Sequence, residues 1–202
     1  NRLCYAGSVL HTQSDGFHRS REPIQVGAEL YGEAGSGADL EILTLMLQGL
    51  AACGVKTLQL DIGHVGVYRA LAQEARLSRE VEHQLFGALQ AKDSSAVAVL
   101  AAGLPIALRD AFAALPRLYG DRSVLAEARA CLPQLAAVEA ALDTLEILDR
   151  GLVNVEAAYD LAELRGYGYH SGVVFAAYTG GRSHAIAQGG RYDEVGRVFG
   201  RA

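Results

Sequence analysis

The sequence predicts an α+β fold, on three observations. Alternating strand-like runs flank polar turns near both ends of the chain. The stretch from Leu77 to about Arg150 is rich in Ala and Leu and loses that alternation. No regular strand–helix–strand repeat occurs, which favours antiparallel hairpins over a doubly wound sheet. With 202 residues, half of them hydrophobic, the chain can bury one sizeable core. The expected organisation is a first part of the core at 1–76, a helical insertion at 77–150, and a return of the core sheet at 151–202.

Leu3–Leu10 reads as a strand, and Thr12–Arg21 is polar around a Ser14-Asp15-Gly16 turn signal. Ile24–Tyr31 alternates, with Ile24, Val26, Ala28 and Leu30 on one face and Gln25, Gly27, Glu29 and Tyr31 on the other. A hairpin therefore opens the chain. Ser36-Gly37-Ala38-Asp39 offers cap chemistry for a helix over Leu40–Cys53 that stops at Gly54. Thr57–Ile62 alternates again, and Gly63–Ala75 turns into a helix. Further helices are expected at Ser78–Ala91, Ser95–Ala102, Ile106–Leu115, Ser123–Cys131 and Pro133–Leu148, punctuated by Pro105, Pro116 and Pro133. Asn154–Ala158, Gly172–Tyr178 and His184–Gln188 are the returning strands. Thr179-Gly180-Gly181-Arg182-Ser183 joins the last two as a hairpin.

Composition narrows the function. The net charge is −5, the sequence pI is about 5.7, and no Lys/Arg run marks a nucleic-acid-binding face. Cys4, Cys53 and Cys131 are odd in number and widely spaced, which suits free thiols in a reducing cytoplasm. No HxH or HxxxH spacing points to a metal, and no GxSxG nucleophile signature occurs. No uncharged apolar run is long enough for a membrane span. The abrupt strand at Asn1 and the bare Gly200-Arg201-Ala202 end suggest a fragment of a longer protein.

Three constellations carry polar chemistry. Gln25 and Glu29 share the polar face of one strand, and Gly27 between them leaves room above the sheet. Such a pair binds an ammonium group and a neighbouring polar atom, although an ordinary solvated strand face has the same spacing. Arg165-Gly166-Tyr167-Gly168-Tyr169-His170-Ser171-Gly172, if extended, sets Arg165, Tyr167 and Tyr169 on one face. That face suits a carboxylate or a planar ring, or simply an irregular edge with surface tyrosines. Gly189-Gly190-Arg191-Tyr192-Asp193 follows a strand and brings Arg191 toward the same region, with no dinucleotide or P-loop spacing.

Taken together, these segments resemble a known family. The first 32 residues are similar to the second signature motif of class II aminoacyl-tRNA synthetases in its histidyl form. Arg165–Phe175 resembles the histidyl segment RGLDYYTGTVF, and GGRYDEV resembles its companion element. The resemblance implies a class II synthetase-like antiparallel sheet flanked by helices. It also implies histidine contacts at Gln25, Glu29, Arg165, Tyr169 and His170, with Tyr167 and Arg191 as additional pocket residues.

The departures fall on the phosphate chemistry. The family's Arg-x-Glu is replaced by His11-Thr12-Gln13, its Asp by Gly168, and its second Tyr by His170. Arg19 stands where the family's motif loop carries an Arg. Adenylation joins two anions and needs compensating positive charge, whereas amino-acid binding does not. LYGEAGSGADLEI, LDIGHVGVYRAL and GGRYDEVGRVFGRA are closer to a paralogous branch, the regulatory subunits of short-form ATP phosphoribosyltransferase. That resemblance implies a non-catalytic, cytoplasmic subunit without cofactor. It would self-associate as a homodimer, assemble with the catalytic subunit in a hetero-octamer, and take L-histidine as effector. A truncated catalytic core of a histidyl-tRNA synthetase is the alternative, and a scaffold with a vestigial pocket is a third reading.

Overall fold

A computed structural model describes residues 1–12, 20–153, 155–180, 184–198 and 200. The opening hairpin pairs β1 (Arg2–Ser8) with β2 (Ile24–Leu30), antiparallel from Arg2↔Leu30 to Ser8↔Ile24. Helix α1 (Ser36–Ala52) follows. It begins earlier than the sequence suggests, because Gly35 is the N-cap and Ser36 already lies inside the first turn without a side-chain cap bond.

A five-stranded sheet runs in the order β4-β5-β3-β6-β7. Its strands are β3 (Gln59–His64), β4 (Tyr119–Gly120), β5 (Ala157–Asp160), β6 (Val173–Tyr178) and β7 (Ala187–Gly190). The antiparallel expectation holds for every pair except β3 with β5, which is parallel. A parallel pair needs a long crossover. Here the crossover is the whole helical stretch: α2 (Val65–Glu74), α3 (Arg79–Gln90), α4 (Ser94–Ala101), α5 (Ile106–Ala114), α6 (Ser123–Cys131) and α7 (Ala136–Gly151). A short α8 (Val195–Val198) comes last. The two-residue β4 has too little pattern to be read from sequence. The predicted 154–158 strand begins three residues later, at Ala157, and position 154 itself lies outside the described residues.

Period two divides the sheet. Leu60, Ile62 and Tyr159 are fully buried beneath the helices. Gln59, Asp61, Tyr178 and Gln188 fall on the opposite face by strand register. On α7, Val138, Ala141, Leu142, Leu145 and Leu148 recur at helical spacing and are buried. They enter one core with Tyr68, Leu71, Leu85 and Phe112, so the 79–151 helices and the sheet share a single hydrophobic interior. Arg129 of α6 binds Glu139, Asp143 and Glu146 along one side of α7 and fixes the docking of those helices.

His64 joins β3 to α2. Its Nδ1 accepts from the Gly66 amide at 3.1 Å, which caps the helix and requires a neutral ring. Burial, then the nearby charges of Arg191 and Arg69, hold its pKa down at about 4. The unfolded chain binds this proton near pH 6.5, so the stability from neutral His64 is complete above that pH and is lost as pH falls toward 4. Urea denaturation of the His64→Asn variant, which keeps a capping acceptor but does not titrate, should show a pH dependence between 6.5 and 4 that is shallower by up to about 3 kcal/mol in total.

Candidate functional site

The hairpin presents one polar face. Register places Leu3 opposite Glu29, Tyr5 opposite Gly27 and Gly7 opposite Gln25. The Tyr5 hydroxyl accepts from the Gln25 side-chain amide at 2.5 Å. A Cβ on Gly27 would lie 2.3 Å from the Tyr5 ring. The room that glycine leaves is therefore taken by Tyr5, which corrects the expectation that it stands open for a ligand.

Glu29 starts a chain of tyrosines. It accepts from the Tyr31 hydroxyl at 2.5 Å, and the Tyr192 hydroxyl meets the Tyr31 hydroxyl at 3.1 Å. Tyr169 stacks on Tyr192 at 5.0 Å between centroids, and its other edge meets His170 at 5.3 Å. Burial, and then the Glu29 charge, raise the Tyr169 hydroxyl. Burial and the Tyr31 hydrogen bond raise Tyr192 too, so both phenols stay neutral near the carboxylate, and Tyr192 donates to Tyr31. Glu29, Tyr169 and His170 come together through this cluster.

The segment from Arg165 to Tyr169 forms consecutive turns, with Gly166 at φ +65°, and does not extend as a strand. Its residues consequently diverge. Arg165 donates to the Tyr178 hydroxyl at 2.9 Å, to Glu163 at 3.2 Å and to Gln188 at 3.4 Å, on the polar face of the five-stranded sheet. Tyr167 turns inward, donating to Glu82 at 2.6 Å beneath the Arg69 guanidinium and against Phe86. Burial, then the Glu82 hydrogen bond, push its hydroxyl up to about 12. The His170 ring lies between Gly166 and Gly190. A Cβ on either glycine would come within 3.0 Å of it, and its buried Nδ1 has no hydrogen-bond partner among the described residues. Burial lowers its pKa.

Arg191 is committed to the scaffold. It forms two bonds to Asp39 at 2.9 and 3.0 Å, donates to the Gly35 carbonyl at 2.8 Å and the Glu33 carbonyl at 3.4 Å, and reaches Asp193 at 3.1 Å. Burial opposes the charge on Arg191, but its bonds to Asp39 and the fields of Asp39 and Asp193 outweigh it. Burial raises the Asp39 carboxyl against the pull of the same arginine. The two-pronged geometry favours the ionised form of both groups.

At the far end of β1, His11 is exposed. Its backbone amide bonds the Arg21 carbonyl at 2.8 Å, and Arg21 reaches back to the carbonyls of His11 and Thr12 at 3.4 Å. Gln13 and Arg19 lie outside the described residues, as does the 181–183 part of the predicted hairpin loop. Gly168 is exposed with open space around its α-carbon. Among the described residues no group of three or more His, Cys, Asp or Glu is arranged to hold a metal, and no helix is long and apolar enough to cross a membrane. Sequence reasoning did not single out Tyr5, Tyr31 or Tyr192 as site residues. The period-two pattern of the hairpin placed Tyr31 on the Glu29 face and was the one available signal.

Replacing Arg191 with Ala leaves Asp39 buried without its partner. In urea denaturation this should cost about 3–5 kcal/mol, and the Arg191→Ala/Asp39→Ala double variant should lose clearly less than the sum of the singles.

The comparisons place this geometry in a known setting. All of residues 1–202 match the histidyl-tRNA synthetase family model. The chain is 81% identical over 202 residues to an ATP phosphoribosyltransferase regulatory subunit of Thiobacillus denitrificans, covering all of this chain and 63% of that protein. It is 56% identical over 201 residues to the protein of the same description in Ralstonia nicotianae, of which it covers 52%. The chain thus spans between half and two thirds of the length of these relatives. A solved structure described as an ATP phosphoribosyltransferase regulatory subunit/histidyl-tRNA synthetase from Bacillus halodurans matches with a TM-score of 0.85 at 28% identity, over 99% of this chain and 53% of that one. A histidyl-tRNA synthetase from Nostoc shares the fold at a TM-score of 0.78 and 17% identity, over 99% of this chain and 49% of that one. With the hairpin, the mixed sheet and its helices in the class II synthetase arrangement, the chain belongs to the histidyl-tRNA synthetase family.

Proposed function

We propose that this chain is the ligand-binding core of a regulatory subunit of ATP phosphoribosyltransferase, the complex that opens histidine biosynthesis, and that it binds L-histidine without activating it. The carrying observation is the division of the site. Glu29 accepts from Tyr31 and is joined through it to Tyr192 and Tyr169, while the position that needs a phosphate-gripping cation holds the exposed His11. Gln25 and Glu29 are the contacts for the ammonium and imidazole groups, Tyr169 and His170 bound the ring, and Arg165, on the polar face of the five-stranded sheet, is assigned the carboxylate on the family resemblance. Tyr167 and Arg191 hold the surrounding segments in place. The names of the relatives at 81% and 56% identity support the regulatory role.

In this reading 77–150 is an insertion in a core made of 1–76 and 151–202. The partner is the catalytic transferase subunit, met in the cytoplasm as a hetero-octamer of which this subunit forms homodimers. No cofactor is required, because reaction chemistry resides in the partner. Feedback control follows if the two states of the complex bind histidine with different affinity.

Calorimetric titration of the full-length protein should detect L-histidine binding, and Glu29→Ala or Arg165→Ala should weaken it at least about tenfold, the loss expected when a charge-assisted contact of ~1.5–3 kcal/mol is removed. Unchanged binding by both variants rejects the site. Histidine-dependent ATP–pyrophosphate exchange by the same protein would instead identify a working synthetase.

A further inference from the structure

Tyr5 lies at the centre of the polar face of the hairpin. Tyr5 stands directly opposite Gly27, between the register positions of Gln25 and Glu29. Its ring crosses β2 over the α-carbon of Gly27, where a Cβ would come within 2.3–2.6 Å of Cζ, Oη and Cε1. One end of the ring is anchored by its own strand and the other by the 2.5 Å bond from Gln25. The side chain is nevertheless 45% exposed, so its outer surface is not covered by protein.

We infer that the Tyr5 ring is the floor of the ligand site, on which the imidazole of an amino acid held between Gln25 and Glu29 lies. The inference rests on the reading of Gln25 and Glu29 as histidine contacts and adds the residue that selects for a flat ring. The chemistry is that of ring on ring. An imidazole stacks or sets its edge on a phenol face, and a positively charged ring or ammonium gains from the same face. Glu29 is then placed to take an N–H from the ring's edge, and Tyr169 bounds the ligand from the side of Tyr192. Gly27 serves this arrangement indirectly, because any side chain there would lift Tyr5 off the strand.

The experiment is a calorimetric titration of the full-length protein with L-histidine, in the unsubstituted form and in four variants. Tyr5→Ala should weaken binding about tenfold, in line with removal of an aromatic contact. Tyr5→Phe keeps the ring and should stay within about threefold, the loss of one neutral hydrogen bond to Gln25. Gly27→Ala should behave like Tyr5→Ala. These 202 residues contain no tryptophan, so Tyr5→Trp adds a reporter at the site whose emission, taken as the difference from the unsubstituted protein, should change as histidine is added. Affinity in Tyr5→Ala that is equal to or tighter than that of the unsubstituted protein overturns the inference and leaves the proposed function standing. An unresponsive reporter in a variant that still binds histidine overturns it equally, including when Tyr5→Ala does not fold. Absence of histidine binding by the unsubstituted protein removes the proposed function and this inference together.

Discussion

The ion pair between Arg191 and Asp39 spans 152 positions of sequence and decides how the two ends of the chain meet. Arg191 leaves β7, and Asp39 sits in the first turn of α1, just after the hairpin. Four groups are bound by one guanidinium: a carboxylate in two-pronged fashion, two backbone carbonyls and the Asp193 side chain. An arginine is suited to this because its donors are fixed in a plane and its charge persists when buried. The adjoining Tyr192 is thereby carried to Tyr31, and the hairpin carboxylate Glu29 is joined to the aromatic groups of the turn segment. The tether matters because the hairpin is a separate two-stranded sheet with no strand pairing to the five-stranded one, and such hairpins are weakly stable alone.

Glycine makes room for an aromatic ring at two places in the site. Gly27 makes way for Tyr5, and Gly166 with Gly190 makes way for His170. Each allows an aromatic side chain to lie against backbone, where it costs little conformational entropy and is held by contact. The result is a site whose walls are tyrosines pinned through their hydroxyls: Tyr5 to Gln25, Tyr31 to Glu29 and Tyr192 to Tyr31. Burial keeps the hydroxyl of Tyr192 neutral, so it donates a hydrogen bond and does not repel the carboxylate. In the proposed reading, this surface is what receives the planar, nitrogen-bearing ring of the ligand.

Much of the fold was legible along the chain. The hairpin, α1, β3 and the helices from α2 to α7 follow from alternation, helical spacing and proline punctuation, which are local properties. The parallel pairing of β5 with β3 was not legible, because it depends on a crossover whose length hides the relation between strands. The site was legible only in part. Gln25 and Glu29 share a face by simple period-two geometry, as read. Arg165, Tyr167 and Tyr169 share a face only if the segment is extended; it forms turns, with a positive φ at Gly166, and the three side chains diverge. Tyr5 escaped notice because its importance comes from the strand opposite.

By itself, the sequence determined the class of fold, the helical middle, and the absence of local metal and nucleophile signatures. Those are properties of composition and short-range spacing, which survive in a linear text. Tertiary structure alone decided that Tyr5 fills the space over Gly27, that Arg191 serves α1, and that Tyr167 points into the core while Tyr169 joins Glu29. These outcomes depend on which surfaces are buried against each other, and burial is a property of the packed chain that no neighbouring residue in sequence can specify.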